Sequence, residues 1–501
     1  MPTLQARLPI RAPRFGVHAE HDAYKWWALS CTSLGMLLAT INSGTLIIAL
    51  PDLERSLHTS LLELVWVILV YMIASTVLVL SAGRLSDQFG RKRAYILGFL
   101  LFAFASFGAG FAGNGTQLIL WRILQGIGGS FLFANATAIV TDAFPREQLG
   151  LAMGTNTMVA AVGLVIGPVL GGALVAISWP WVFWFNVPLA LAGCAWAGLI
   201  LRELSRRGED TTFDTAGTIT FLVGLTGLVF GISKGGLSSW TSPPVIGGLV
   251  AAAVLMPAFV LIERHHRAPM LDLSIFSNRL FSAAAAAAFI NGLSRFALMF
   301  LFVFYFQGVQ GNSPILAGIK LAPLAIGMLI ASPLAGIWAD RRGSRGMAVL
   351  GMLVSATGLA LMTTLERDTS YWASGTYLFV AGLGSGMFMS PNTAAMMGTV
   401  PPQRRGIAAG ARVLVMNTGA VISIAFVLAV VTSALPKDVL FKVFSGLANH
   451  ISTTQLDPFI SNMHTALWCL AAASIVGAFV AAARPSHQQS TAAEPGMATS
   501  S

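Results

Sequence analysis

Long apolar runs alternate with short polar connections along the chain. The runs lie near residues 26–50, 62–82, 94–112, 117–140, 152–176, 182–201, 214–233, 243–262, 281–307, 314–339, 346–365, 371–399, 406–434 and 463–483. Each approaches or exceeds the roughly 20 helical residues needed to cross about 30 Å of hydrocarbon. Inside a bilayer every backbone N–H and C=O must be satisfied within its own segment, so such runs predict helices. The pattern therefore predicts an all-α polytopic membrane protein with fourteen transmembrane helices. The first run follows a 25-residue charged segment. It is too long for the apolar stretch of a cleaved leader and lacks an A-x-A site, so it is expected to be a true first span.

Composition narrows the class. Of 501 residues, 55% are hydrophobic and only 10% charged, with a mean hydropathy of +0.74. A soluble domain carries about 25% charged residues. A soluble enzyme, a disordered chain and a secreted disulfide scaffold are thereby excluded. The net charge of +10 would point to nucleic acid in a soluble protein. Here it follows from topology. With the N-terminus inside, twenty-one basic residues fall on the cytoplasmic side, whereas only Arg55, Lys234, Arg367, Lys437 and Lys442 fall outside. That bias places both termini in the cytoplasm. Cys31, Cys194 and Cys469 show no paired spacing, and His18, Glu20, His21 and Asp22 read as a charged tail, so no metal site is expected. Without GxxxxGK[ST] or HExxH, neither nucleotide-driven pumping nor catalysis is expected, and no cofactor.

The chain repeats itself. Gly83-Arg-Leu-Ser-Asp87-Gln-Phe-Gly90 recurs as Gly336-Ile-Trp-Ala-Asp340-Arg-Arg-Gly343, an offset of 253; Gly126-Ile-Gly128 recurs as Gly382-Leu-Gly384, and Pro145–Gly154 matches Pro401–Gly410, both at 256. Two six-helix bundles, 26–202 and 267–484, are expected around an inserted pair within 203–266. Segments 1–25 and 485–501 are expected to be cytoplasmic tails, the latter disordered.

Four basic residues, Arg122, Arg295, Lys320 and Arg412, remain inside the runs. An intramembrane arginine costs about 2.5–3.5 kcal/mol on insertion scales and usually faces a cavity. Arg122 shares a helix face with Gln125 at i, i+3, although snorkelling to an end about 8 Å away stays open. Arg295 stands near mid-membrane with Asn291 one turn before it, and the pair is expected to line the cavity. Snorkelling and function stay equally open for Lys320 and Arg412. No carboxylate joins these cations. Glu63 and Asp214 come closest to membrane depth, and Asp87 and His464 complete the titratable candidates for a proton carrier. Gly163, Gly167 and Gly171 lie on one face beside Pro168, which predicts a bent helix with a close neighbour.

In these motifs the chain resembles the Major Facilitator Superfamily, and within it the fourteen-helix drug:proton antiporters of the EmrB/QacA type. The resemblance rests on Gly83–Arg93 after the second run, Leu118–Gly128 with its arginine, and Gly163–Gly172. Ala49-Leu50-Pro51 at the end of the first run, Asp214–Gly217 and Ser390-Pro391-Asn392 add to it. It implies a secondary active exporter of amphiphilic small molecules in a bacterial cell membrane, coupled to protons and working by alternating access, with room for an accessory export protein. It implies a gating loop at Gly83, Asp87, Gly90, Arg91 and Asp340, with Asp87 as an inter-bundle latch, and an antiporter motif at Gly163, Gly167, Pro168 and Gly171. Where the family usually carries an aspartate on the first helix, this chain has Asn42, which cannot titrate. The expected cavity residues are Asn42, Arg122, Gln125, Asn291 and Arg295. Two arginines without an acid imply neutral or anionic amphiphiles over organic cations. A lipid or metabolite exporter or facilitator without proton drive, and a non-transporting scaffold or sensor, stand as alternatives.

Overall fold

A computed structural model describes residues 23–145, 149–203, 214–266, 269–400, 405–433 and 453–484. Residues 1–22 with the histidine-containing segment, residues 485–501 and part of the Pro145/Pro401 repeat lie outside the described residues, and the last three residues of the expected 1–25 tail already belong to the first helix. Within them the chain is helical throughout, without a strand. The helices are α1 (Ala23–Leu57), α2 (Leu61–Phe89), α3 (Arg91–Ala109), α4 (Gly115–Ala143), α5 (Leu149–Ile177), α6 (Trp181–Ile200) and α7 (Thr215–Leu237). There follow α8 (Pro243–His265), α9 (Arg279–Val309), α10 (Pro314–Arg342), α11 (Ser344–Met362), α12 (Tyr371–Gly398), α13 (Arg405–Thr432) and α14 (Thr453–Ala482). Among the described residues, twelve helices are long and apolar enough to cross a membrane. The 29-residue α5 and the 28-residue α12 pack among them.

Polar residues flanking the apolar runs start the helices. Ser60 caps α2 in a reciprocal box with Glu63, Asn114 accepts from Gln117 N (2.8 Å), and Asp214 accepts from Gly217 N (2.8 Å). Each supplies an acceptor to a backbone donor that has no partner within the helix. Glu63 also accepts from Thr59 (2.9 Å) and Thr116 (3.1 Å). Glu63 and Asp214, the acids expected nearest to membrane depth, thus serve at helix starts. The first helix departs from its expected end: it runs through Pro51 to Leu57. A proline there removes one donor, while Arg55 binds Asp52 (2.5 Å) and donates to Pro51 O (3.3 Å) to brace the last turn.

The sequence repeat is visible in the packing. Helix α2 packs on α4 as α10 packs on α12; α3 on α4 as α11 on α12; α1 on α5 as α9 on α13; and α3 on α6 as α11 on α14. Helices α2 and α10 both end at a glycine with positive φ, Gly90 (105°) and Gly343 (86°). That backbone is strained for residues with a Cβ, and each glycine lets the next helix start at once. The halves meet along two seams, α5 against α10 and α2 against α13.

The inserted α7 and α8 pack on each other, and α7 lies against both α2 and α13. Thr218 and Ser81 share a hydrogen bond (3.1 Å), Trp66 meets Phe230 (5.9 Å between centroids), and Thr432 donates to Gly236 O (3.1 Å). At the face where α1 begins, here the tail face, Glu263 accepts from Leu271 N (2.9 Å) and Asp214 from Met270 N (3.4 Å). Arg84 of α2 binds Pro269 O in the same cluster. Large apolar side chains such as Phe104, Phe111, Trp372 and Phe479 stand exposed on the outer surface, the pattern of a lipid-facing wall.

Candidate functional site

The first half encloses a buried polar knot. Asn42 of α1, Arg122 and Gln125 of α4, Ser106 of α3 and Asn186 of α6 are at most 1% exposed. Arg122 Nε donates to Val67 O (3.0 Å), and its Nη1 donates to Asn42 Oδ1 (3.4 Å) and to Gln125 Oε1. Gln125 Nε2 donates to Asn42 Oδ1 (3.2 Å) and Ser106 Oγ (2.7 Å), and Asn186 Nδ2 to Asn42 Oδ1 (3.4 Å). The guanidinium lies 4.3 Å from the Tyr71 ring centroid. Arg122 turns inward to neutral acceptors and an aromatic face, and does not snorkel. Its positive charge has no carboxylate beside it among the described residues. Asn186 Oδ1 is buried without a hydrogen-bond partner, and Asn42 Nδ2 and Tyr71 OH, buried beside each other, lack a well-formed bond. A buried polar group left unpaired costs about 1–3 kcal/mol, so the knot retains unmet polar capacity.

Of the expected cavity residues, Asn42, Arg122 and Gln125 come together. Asn291 and Arg295 do not join them. Asn291 points into the second half, where its Nδ2 donates to Ser385 Oγ (3.4 Å). Arg295 is the seventeenth residue of the 31-residue α9, at its middle. It stacks 4.5 Å from the Phe296 ring centroid, and its Nε is buried without a partner. It lines a small, mainly apolar recess with Pro168, Phe296, Met299, Leu321, Leu324, Ala325 and Met328. Arg412 lies on α13, which packs against α9. Neither forms an ion pair among the described residues. Lys320 instead binds Gln310 and Asn312 (both 3.0 Å), bracing the start of α10.

The glycine face of α5 is packed as tightly as its spacing implies. A Cβ on Gly167 would stand 3.1 Å from Gly44 Cα, and one on Gly171 would stand 2.6 Å from Thr45 Cα. One residue further, a Cβ on Gly172 would reach 2.5 Å from Ile315 Cα on α10, across the seam between halves. A Cβ on Gly163 would meet Thr40 Oγ1. Pro168 lies inside α5 and contributes to both the seam and the recess.

The segment expected as a gating loop is helical except at Gly90: Asp87 in the last turn of α2 pairs with Arg91 at the start of α3 (2.9 Å), and Arg91 also binds Asp142 of α4 (2.5 Å). The described partner of Asp87 is therefore within its own half, and Arg91 bridges two acids on neighbouring helices. Gly83 is loosely packed, with Ala134 Cβ 3.8 Å from the position its own Cβ would take. Asp340 lies in the last turn of α10, with its side chain outside the described set. Tyr71, Ser106, Asn186 and Arg412 were not among the expected site residues. For Asn186 the available signal was a lone amide within the apolar stretch Val182–Leu189.

These features match known proteins. The sequence profile of the Major Facilitator Superfamily matches residues 32–424 and again 284–481. The chain is 30% identical over 395 residues to the tetracenomycin C resistance and export protein of Streptomyces glaucescens, covering 79% of this chain and 73% of that protein. It is 31% identical over 379 residues to the multidrug transporter protein MdtP of Bacillus subtilis, covering 74% and 70%. The fold aligns with a bacterial homologue of the human lysosomal transporter Spinster, in an inward-facing and unoccupied conformation, at a TM-score of 0.63 and 16% identity. That alignment covers 92% of this chain and 97% of that one. The repeated bundles, the glycine seam and the profile match agree: the chain belongs to the Major Facilitator Superfamily.

Proposed function

We propose that the protein is a secondary active exporter of amphiphilic small molecules, of the fourteen-helix drug:proton antiporter type, in a bacterial cell membrane with both termini cytoplasmic. The reading rests on the relatives named for drug export and resistance. The observation that carries it furthest is the seam of α5 against α10. There Gly172 and Ile315 bring two homologous bundles into backbone contact, while the recess beside Pro168 lies on the same interface. Opening and resealing such a seam by rocking the bundles exposes a central site to each side in turn.

Proton coupling has a specific difficulty. Asn42 occupies the centre of the knot, and its amide cannot titrate. A coupled exporter would use another titratable group; an uncoupled exporter or facilitator would use none. Everted membrane vesicles separate these readings. Uptake of a fluorescent amphiphile that stops when the pH gradient is collapsed is the expected result. Uptake indifferent to the gradient supports the uncoupled reading, and no uptake of any amphiphile refutes export.

A further inference from the structure

Three segments of the chain meet at the tail face around two buried carboxylates. Asp214 caps the start of α7, Glu263 lies in the last turn of α8, and each is 2% exposed. Backbone donors serve three of their four oxygens. Gly217 N donates to Asp214 Oδ1 (2.8 Å), Met270 N to Asp214 Oδ2 (3.4 Å) and Leu271 N to Glu263 Oε2 (2.9 Å). The fourth oxygen, Glu263 Oε1, is buried beside the Asp214 carboxylate and lacks a well-formed bond. A Cβ on Gly217 would stand 2.4 Å from Asp214 Oδ2 and 2.7 Å from Glu263 Oε1, so these two oxygens are no more than about 5 Å apart. The other charged groups beside them are Arg84 of α2, bound to Pro269 O, and Asp272, which accepts from Ser274 N (3.0 Å). Arg264 and His265, next to Glu263 along α8, are exposed.

Two ionised carboxylates this close and out of water repel one another. A single proton between them removes that repulsion and supplies the donor that Oε1 lacks. A metal cation fits less well, because three N–H groups already point at the other oxygens. We propose that Asp214 and Glu263 share one proton, and that this proton fastens the inserted α7–α8 pair to the segment leading into α9. Met270 and Leu271 belong to that segment, and Pro269 beside them holds Arg84 of α2. One proton therefore acts where the first half, the inserted pair and the second half meet. The joined arrangement, with the carboxylates adjacent and buried, binds the proton more tightly than a parted one in which water separates them. Joining is thus favoured in acid and weakens as the pH on the tail face rises.

The test reads amide hydrogen exchange at Met270 and Leu271 in the full chain, held in phosphatidylcholine nanodiscs and corrected for the intrinsic pH dependence of exchange. In the wild type, protection is expected to fall at least about tenfold between about pH 6 and pH 9, since one linked proton shifts the joined form by up to tenfold per pH unit. Glu263→Gln puts an amide donor where the proton sat and keeps an acceptor for Leu271, so protection should stay at its acid level throughout. Glu263→Ala should lose protection at every pH. Should Glu263→Gln fail to insert, Asp214→Asn, which keeps the helix cap, decides by the same criterion. Protection independent of pH in the wild type, or a pH-dependent loss that persists in Glu263→Gln, overturns the shared proton. The readout does not involve transport, so absence of vesicle uptake would refute export and leave this latch standing.

Discussion

Asn42 Oδ1 accepts from three side chains at once, Arg122, Gln125 and Asn186. A neutral amide oxygen therefore stands where the surrounding donors would hold an anion. Asn42→Asp is expected to add a pH-dependent limb to transport, absent from the wild-type profile, and to favour cationic substrates. Initial rates in proteoliposomes between about pH 5 and 8 would show it; an identical profile would place residue 42 out of reach of protons and cargo alike. Part of this knot could be read in advance. The i, i+3 spacing put Arg122 and Gln125 on one face. That Tyr71, Ser106 and Asn186 meet them could not be read, because helical periodicity orders residues around one helix but says nothing of which helices adjoin. The same limit separated Asn291 from Arg295. Four residues apart on one helix, they face different neighbours, Ser385 of α12 and the recess beside α5.

Among elements, α5 is the most constrained, because its glycines meet backbone atoms that cannot turn aside. A leucine at position 171 would drive a side chain into Thr45 Cα, 2.6 Å from the ideal Cβ position. Gly171→Leu is expected to lower transport at least tenfold with membrane abundance near normal. Loss of abundance equal to loss of activity would mean the seam serves assembly alone. Spacing made this face legible, since glycines four apart have little use except close approach. The extension of α1 through Pro51 was not legible. A proline-containing motif marks a chain ending in many contexts, and only the brace from Arg55 to Asp52 and Pro51 shows why the helix continues.

For the whole molecule, the packing correspondence between halves makes each bundle a unit, and the proposed cycle requires the two to move about their seams. Gly172→Ala, whose Cβ would stand 2.5 Å from Ile315 Cα, is expected to force α5 and α10 apart and to lower transport severalfold at near-normal membrane abundance. Unchanged transport in vesicles would show that this contact is not needed in the cycle. The overall bundle was legible because apolar run length and loop charge are imposed by the bilayer itself. The placement of the inserted pair was not, since nothing in its composition states which seam it covers.

That placement has a consequence for the route of entry. Contacts from Ser81 and Trp66 on α2 and from Thr432 on α13 hold α7 across the α2–α13 junction. A two-bundle protein without the pair would offer a lipid-dissolved molecule two lateral doorways, one on each side. Here one is shuttered. The other is closed by the backbone contact of α5 with α10 at Gly172 and Ile315, so lateral entry would require that seam to part.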